Sequence, residues 1–163
     1  MPFNTALIAE RYDSNTWMLY APLMYTGRDD TFTVPKGYMT DFATVPNFLL
    51  WVVDKTGPYT AAAVVHDWLI TSEIPAKRVT SRDTDGIFRR IMREEGTPFV
   101  TRWIMWAAVR LAALFNKRRS DGRQLYKDAP KIALVILPAL LINPAAVLVG
   151  ITRTVLRPLN RIR

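Results

Sequence analysis

Two extended runs near the N-terminus, residues 16–25 and 31–39, are rich in aromatic and apolar residues, and a polar turn, Gly27-Arg28-Asp29-Asp30, separates them. Such runs joined by a short turn predict a β-hairpin. Proline cannot donate a hydrogen bond to a strand ladder, so Pro22 and Pro35 favour edge positions. The N-terminal part of the chain is therefore predicted to form a small antiparallel sheet.

The pattern changes to helical spacing after Gly57-Pro58. A helix is predicted over about residues 61–71, with Thr60 as its N-cap. Positions three and four apart lie on one face of a helix, so His66 shares a face with apolar residues. These residues are Ala62, Ala63, Leu69 and Ile70. We therefore expect His66 to point inward.

A second helix is predicted to begin near Thr80. Thr80 and Asp83 have the spacing of a capping box, with aspartate in place of glutamate. Asp83 is therefore interpreted as a capping residue. Asp85 lies three and seven positions before Phe88 and Met92, which places its carboxylate on the apolar face. An inward carboxylate is costly without a partner, so we expect it to pair with His66 or with an arginine.

A third helix is predicted over residues 99–115, and a basic, turn-prone linker follows it. The predicted fold class is α+β, with a small antiparallel β-sheet followed by a three-helix core and an apolar C-terminal helical tail. The predicted organisation is an α+β domain over residues 1–115, a basic linker over 116–130 and the tail over 131–163.

The tail has no charged residue from Ile132 to Thr152. About 20 apolar residues suffice for a helix to span a bilayer. Pro138 and Asn143-Pro144 weaken a single spanning helix, and they favour a helical hairpin as one alternative. Membrane association, burial in an assembly and burial against the chain's own domain all stay open. An amphipathic surface helix is disfavoured because this segment has no charged face.

Composition narrows the classes of function. A chain of 163 residues with five tryptophans is long enough for one domain with a hydrophobic core. The absence of cysteine excludes a disulfide framework, a thiolate metal site and a cysteine nucleophile. The net charge of +8 suggests an anionic partner, such as nucleic acid or phospholipid headgroups. Nucleic acid is the less favoured of the two, because the cluster Lys117-Arg118-Arg119 lacks interleaved aromatic residues.

His66, the only histidine, is the centre of the candidate chemistry. Neutral imidazole acts as a general base or a metal ligand near neutral pH. Asp41, Asp67 and Asp85 suggest an oxygen-rich site for calcium or magnesium. Alternatively, Asp85 accepts the second ring proton of His66 and orients it. The competing interpretation is a satisfied core histidine beside aspartates that cap helices or pair with arginines.

Three stretches of the sequence resemble one family. They are V-P-K-G-Y-M-T-D-F-A-T-V-P at residues 34–46, H-D-W-L at residues 66–69 and D-G-I-F at residues 85–88. Together they resemble a bacteriophage- and prophage-encoded domain family of unknown function, with the pattern V-P-x-G-F-x-T-D-F-A-S-x-P and H-D-x-L-Y. Thr44 and Ile70 depart from that pattern, which often shows serine and usually tyrosine. The resemblance covers roughly residues 16–115 and implies a phage origin.

A weaker similarity joins the same helix to secreted phospholipases A2, which carry H-D-x-x-Y and a later D-x-x-F. It implies His66 as the base, Asp67 as a calcium ligand and Asp85 as the orienting residue, with Asp41 as a substitute ligand. Ile70 replaces the tyrosine, and neither a Gly-rich calcium loop nor disulfides are present. Ca²⁺ is the cofactor that this similarity implies.

These observations lead to a primary expectation and two alternatives. The first is a bacteriophage virion-associated structural or assembly protein of the tail or genome-delivery apparatus. Its partners are other phage structural proteins, it is oligomeric within an assembly, and its location is the virion or the host membrane. The alternatives are a metal-dependent hydrolase acting on lipid or cell envelope, and a host-membrane lysis or exclusion protein. Whether the chain is an enzyme stays open.

Overall fold

The computed structural model describes residues 3–42, 57–113, 119 and 128–142. The strands in these ranges are β1 (Ala9–Arg11), β2 (Trp17–Leu19), β3 (Leu23–Thr26), β4 (Thr31–Val34) and β5 (Met39–Thr40). The helices are α1 (Thr60–Trp68), α2 (Ser81–Glu94), α3 (Phe99–Ala112) and α4 (Ala129–Ile142), and a π-helical turn, Leu69–Glu73, continues α1. The predicted α+β class is confirmed.

The strands form two small antiparallel sheets where one was predicted. β3 and β4 pair as a hairpin, with Leu23 opposite Val34 and Thr26 opposite Thr31. The predicted hairpin turn is therefore correct. β2, however, pairs with β1 and β5 in a second sheet. The single sheet was wrong because the chain bends ahead of Pro22, which divides the first apolar run between the two sheets.

A glycine turn brings β5 back to β2. Gly37 has φ of 81°, a left-handed conformation that glycine adopts without steric cost. Its N–H donates to the carbonyl of Leu19 at 2.8 Å, and the N–H of Leu19 donates to the carbonyl of Tyr38 at 3.0 Å. The turn thereby fixes Tyr38 and β5 at the edge of the sheet.

Helix α1 begins one residue earlier than predicted. The N-cap is Tyr59, and Thr60 is the first helical residue, so the prediction of Thr60 as N-cap was wrong. The Thr60 hydroxyl instead accepts from the N–H of Gly57 at 2.9 Å, which closes the preceding turn. The helix buries the five consecutive residues Ala62, Ala63, Val64, Val65 and His66.

Helix α2 has the predicted capping box. The Thr80 hydroxyl accepts from the N–H of Asp83 at 3.1 Å, and the Asp83 carboxylate accepts from the N–H of Thr80 at 3.1 Å. These bonds satisfy two donors that a helix start leaves open. The cap sets the phase of α2, so that Asp85 and Phe88 turn towards the core.

Helices α1, α2 and α3 pack together as predicted, and a fourth helix, α4, packs against α3. α4 contacts α3 through a small cluster of Trp106, Ala107 and Ile132, and it contains Pro138. Within the described ranges, none of the helices has the length and apolar character needed to cross a membrane. The predicted apolar segment from Ile132 to Thr152 continues past residue 142, where the described residues end.

Candidate functional site

His66 and Asp85 meet inside the domain. The Nε2 atom of His66 lies 2.8 Å from Oδ1 of Asp85, and α1 and α2 present these side chains to each other. The imidazole also packs on the ring of Phe88, with centroids 4.7 Å apart. His66 is 8% exposed and Asp85 is fully buried. The inward direction of both residues and their pairing are therefore confirmed.

Two buried arginines hold the other oxygen of Asp85. Arg110 donates to Oδ2 at 3.0 Å, and Arg119 donates to the same oxygen. Neither arginine is among the residues predicted for the site. Arg110 has a signal in the sequence, since it follows the buried Trp106 and Ala107 by four and three positions on α3. Arg119 has none, because its neighbours in the linker are basic and polar.

Arg110 and Arg119 also have partners besides Asp85. Arg110 pairs with Asp128 at 3.1 Å, with Nη2 facing Oδ2, and Arg82 pairs with the other oxygen of Asp128 at 3.1 Å. Arg119 also donates to the Ser81 hydroxyl at 2.6 Å and to the Ser81 carbonyl at 3.1 Å. We call the linked side chains His66, Asp85, Arg110, Arg119 and Asp128 the buried network.

The buried network pairs opposite charges. Its two carboxylates face two guanidinium groups, and removal of charge from water is tolerated when partners are this close. Burial alone raises the pKa of Asp85. The hydrogen bond and charge of His66, the charge of Arg119 and the hydrogen bond of Arg110 outweigh it and hold the pKa below the usual 3.8. Asp85 is therefore a carboxylate at neutral pH.

This geometry limits what His66 can do chemically. Its Nε2 atom is engaged by Asp85, so a general base at this position would act through Nδ1. A surface groove of about 530 Å³ lies nearby, lined by side chains that include Phe32, Trp68 and Arg78. Neither His66 nor Asp85 lines that groove. The groove therefore offers no access to the histidine.

Asp67 points to a different set of groups. Its carboxylate accepts from the hydroxyl of Tyr38 at 2.8 Å, and that hydroxyl lies 3.0 Å from Oγ1 of Thr71. Burial raises the pKa of Tyr38 well above its usual 10, and the charges of Asp67 and Asp41 add to the rise. Tyr38 therefore stays a neutral hydrogen-bond donor. Asp41 itself lies on the surface just after β5.

The predicted oxygen-rich site is not assembled as one cluster. Among the described residues, no three histidine or acidic side chains stand close enough together to hold a metal ion. Asp85 is committed to His66 and two arginines, whereas Asp67 faces Tyr38 on the other side of α1. Metal binding by Asp67 with Asp41 stays a prediction.

Comparison with known proteins adds one result. A family model described as "Protein of unknown function (DUF1353)" matches residues 17–109, which is more than half of the chain. The chain belongs to this family. No curated protein and no solved structure matches the chain.

The residues matched by the family model include only part of the buried network. The matched residues begin with β2 and include His66 and Asp85, but they end one residue before Arg110. Arg119, Asp128 and α4 also lie after the matched residues. The matched residues therefore include the histidine and its carboxylate, and both arginines follow them in the chain.

Proposed function

We propose that this chain is a structural or assembly protein of a bacteriophage virion, associated with the tail or the genome-delivery apparatus, and that its buried network is structural. The phage context rests on the motifs at residues 34–46, 66–69 and 85–88. The buried network is the single observation that favours a structural role over a catalytic one. Its members are almost completely enclosed, and both oxygens of Asp85 are engaged.

The buried network links several helices of the domain. It joins α1, α2 and α3 with Arg119 and with Asp128, the residue directly before α4. Leaving one partner of a buried ion pair without the other costs about 3–5 kcal/mol, so loss of Asp128 or Arg110 should disturb the contact between α3 and the start of α4. A defined contact between these helices suits a subunit that must fit neighbouring copies or partners.

The N-terminal sheet offers a surface for those neighbours. Ile8, Tyr12, Tyr20 and Met39 are large apolar side chains that are exposed on or beside β1, β2 and β5. Ile8 lies opposite Tyr20, because the N–H of Tyr20 donates to the carbonyl of Ile8 at 2.9 Å. Tyrosine and methionine are enriched in protein interfaces. We propose that other phage structural proteins cover this surface in an oligomeric assembly.

Mass spectrometry of purified particles tests the proposal. The expected result is that the chain copurifies with infectious virions at a fixed copy number and remains after washing with concentrated salt. Substitution of the sheet surface, as in Tyr12→Ser with Tyr20→Ser, should reduce incorporation, whereas Arg28→Gln on another exposed turn should not. Absence of the chain from mature virions would overturn the proposal.

One observation favours a second candidate, a Ca²⁺-dependent hydrolase acting on lipid or cell envelope. The Nε2 atom of His66 faces Asp85, which is the arrangement that orients a general base. His66→Gln and Asp67→Asn should then each abolish calcium-dependent hydrolysis of phospholipid vesicles, assayed at a temperature where circular dichroism shows both variants folded. Asp83→Asn, which changes an exposed cap, is the matched control. Equal rates in all three variants would exclude the hydrolase.

A further inference from the structure

Three arginines lie together where α2 passes the start of α3. They are Arg89 and Arg93, one turn apart on α2, and Arg102 on α3. Within the described residues, neither Arg89 nor Arg102 has a carboxylate at ion-pairing distance, and Arg93 approaches only Glu94, at 3.9 Å. This is unlike the arginines of the buried network, each of which has a carboxylate partner. The cluster therefore carries positive charge that the described part of the chain does not neutralise.

Aromatic rings hold the cluster in place. The guanidinium of Arg89 lies 4.4 Å from the ring centroid of Trp103 and 5.8 Å from that of Trp106, and Arg102 lies 5.5 Å from that of Phe99. Burial lowers the pKa of Arg89, and the charges of Arg102 and Arg93 lower it further. The three cations thus act on one another, and an anion beside them would relieve their repulsion.

Apolar side chains border the cluster. Phe99 and Val100, in the first turn of α3, are 66% and 62% exposed. Leu134 and Leu137 of α4 are 76% and 58% exposed. α4 runs antiparallel to α3, since Asp128 pairs with Arg110 and the later Ile132 packs on Trp106. α4 therefore runs from Asp128 towards the end of α3 that carries Phe99.

We propose that these arginines and apolar residues form one surface that binds an anionic phospholipid bilayer. Phosphate oxygens accept hydrogen bonds from the three guanidinium groups, and the apolar side chains enter the boundary between headgroups and acyl chains. Tryptophan is favoured at headgroup depth, which suits Trp103 between the two sets. We call the residues Arg89, Arg93, Arg102, Phe99 and Val100 the lipid surface.

Chemistry favours a bilayer over the other anionic partners. Exposed aliphatic side chains such as Val100 and Leu134 gain nothing from a solvated nucleic-acid backbone, whereas they lose unfavourable contact with water inside a bilayer. The sequence argues against an amphipathic surface helix in the tail because α4 has no charged face. In the folded chain, the charged side chains that α4 lacks are present on α2 and α3. The inference does not involve His66 and does not depend on virion association.

Co-sedimentation of the full chain with vesicles tests the charge requirement. The probes are phosphatidylcholine vesicles with and without one third phosphatidylglycerol. The triple variant R89Q/R93Q/R102Q should partition on the order of 100-fold more weakly onto the anionic vesicles. The matched control R28Q/K36Q/K77Q removes the same charge from exposed positions elsewhere and should change partition less than about threefold. Equal loss in the two triple variants would overturn the proposal.

Two further arms keep the test decisive. The double variant F99S/V100S should bind anionic vesicles weakly at high salt, where the unchanged chain stays bound through its apolar contacts. Brominated lipid should quench tryptophan fluorescence in the W17F variant but much less in W103F. If the triple arginine variant is not folded by circular dichroism, R102Q alone should still weaken binding severalfold. If the triple arginine variant loses duplex DNA binding but binds vesicles like the unchanged chain, the surface binds nucleic acid and the proposal is refuted.

Discussion

Arg110 and Arg89 sit on neighbouring helices in opposite surroundings. Arg110 on α3 is fully buried and contacts the carboxylates of Asp85 and Asp128. Arg89 on α2 is half-buried and lies over two tryptophan rings, with no carboxylate at ion-pairing distance in the described part of the chain. One cation is neutralised within the domain, whereas the other keeps its charge available at the surface.

The difference separates two uses of the same residue type. A guanidinium that is enclosed with carboxylates stabilises the fold and has no charge left for a partner. A guanidinium that rests on aromatic rings, without a carboxylate beside it, keeps its charge and can receive an anion. Arg90 is the intermediate case, since it donates to Asp30 at 2.9 Å and to the hydroxyl of Tyr25 at 3.0 Å.

Removal of the shared carboxylate should have the largest effect. Asp85→Asn leaves Arg110 and Arg119 without the anion that both contact, so we expect the free energy of unfolding to fall by about 3–5 kcal/mol. Urea denaturation followed by tryptophan fluorescence measures it. Asp83→Asn is the control, because the site is exposed and the asparagine amide oxygen can still accept from the N–H of Thr80. A loss of less than about 1 kcal/mol in Asp85→Asn would show that the arginines find other partners.

The contribution of Asp85 to the stability of the fold should depend on pH. The pKa of Asp85 in the folded chain lies below its usual 3.8. Its stabilisation is therefore complete above about pH 4 and is lost as pH falls through the folded-state pKa. The melting temperature of the unchanged chain should drop more steeply below pH 4 than that of Asp85→Asn. Parallel curves from calorimetry at stepwise pH would contradict this assignment.

A prediction at alkaline pH concerns Tyr25, whose hydroxyl accepts a hydrogen bond from Arg90. Burial and the hydrogen bond to Glu94 raise the pKa of Tyr25 to about 12. The phenol ionises near 10 when unfolded, so folding loses stability as pH rises from 10 towards 12. Tyr25→Phe should reduce the fall in melting temperature between pH 9 and pH 11, whereas Tyr12→Phe at an exposed position should not. Equal slopes in the two variants would argue against the buried phenol.

The lipid surface should give the smallest change in stability. Arg89→Gln removes a contact with Trp103 that is worth about 0.5–1 kcal/mol. Arg102→Gln should change the free energy of unfolding by less than about 0.5 kcal/mol. Urea denaturation of these two variants and of Asp85→Asn compares the free energies of unfolding directly. A loss above about 3 kcal/mol for Arg89→Gln would place Arg89 with the structural arginines.

Local features of the fold were predictable because neighbouring residues control them. The turn Gly27-Arg28-Asp29-Asp30 joins the predicted hairpin, and the Thr80–Asp83 box begins α2. Helical spacing alone was sufficient to predict that His66 and Asp85 point inward. Their pairing follows because two inward polar groups on packed helices have few other partners in an apolar interior.

The remaining features depended on contacts between residues far apart in the sequence. Pairing decided that β2 leaves the hairpin for a second sheet. Arg119 reaches Asp85 from 34 positions away, and no local spacing encodes such a contact. Asp67, although adjacent to His66, faces Tyr38 instead of the buried network.

The sequence by itself determined that His66 and Asp85 face the core, that a turn joins β3 to β4 and that α2 begins after Thr80, because periodicity and turn chemistry act within a few residues. Only the tertiary structure decided which arginines are neutralised and which remain free to bind an anion. The physical reason is that the energy of a charge depends on its burial and on the distance to its counter-charge. Both quantities exist only once the helices have packed.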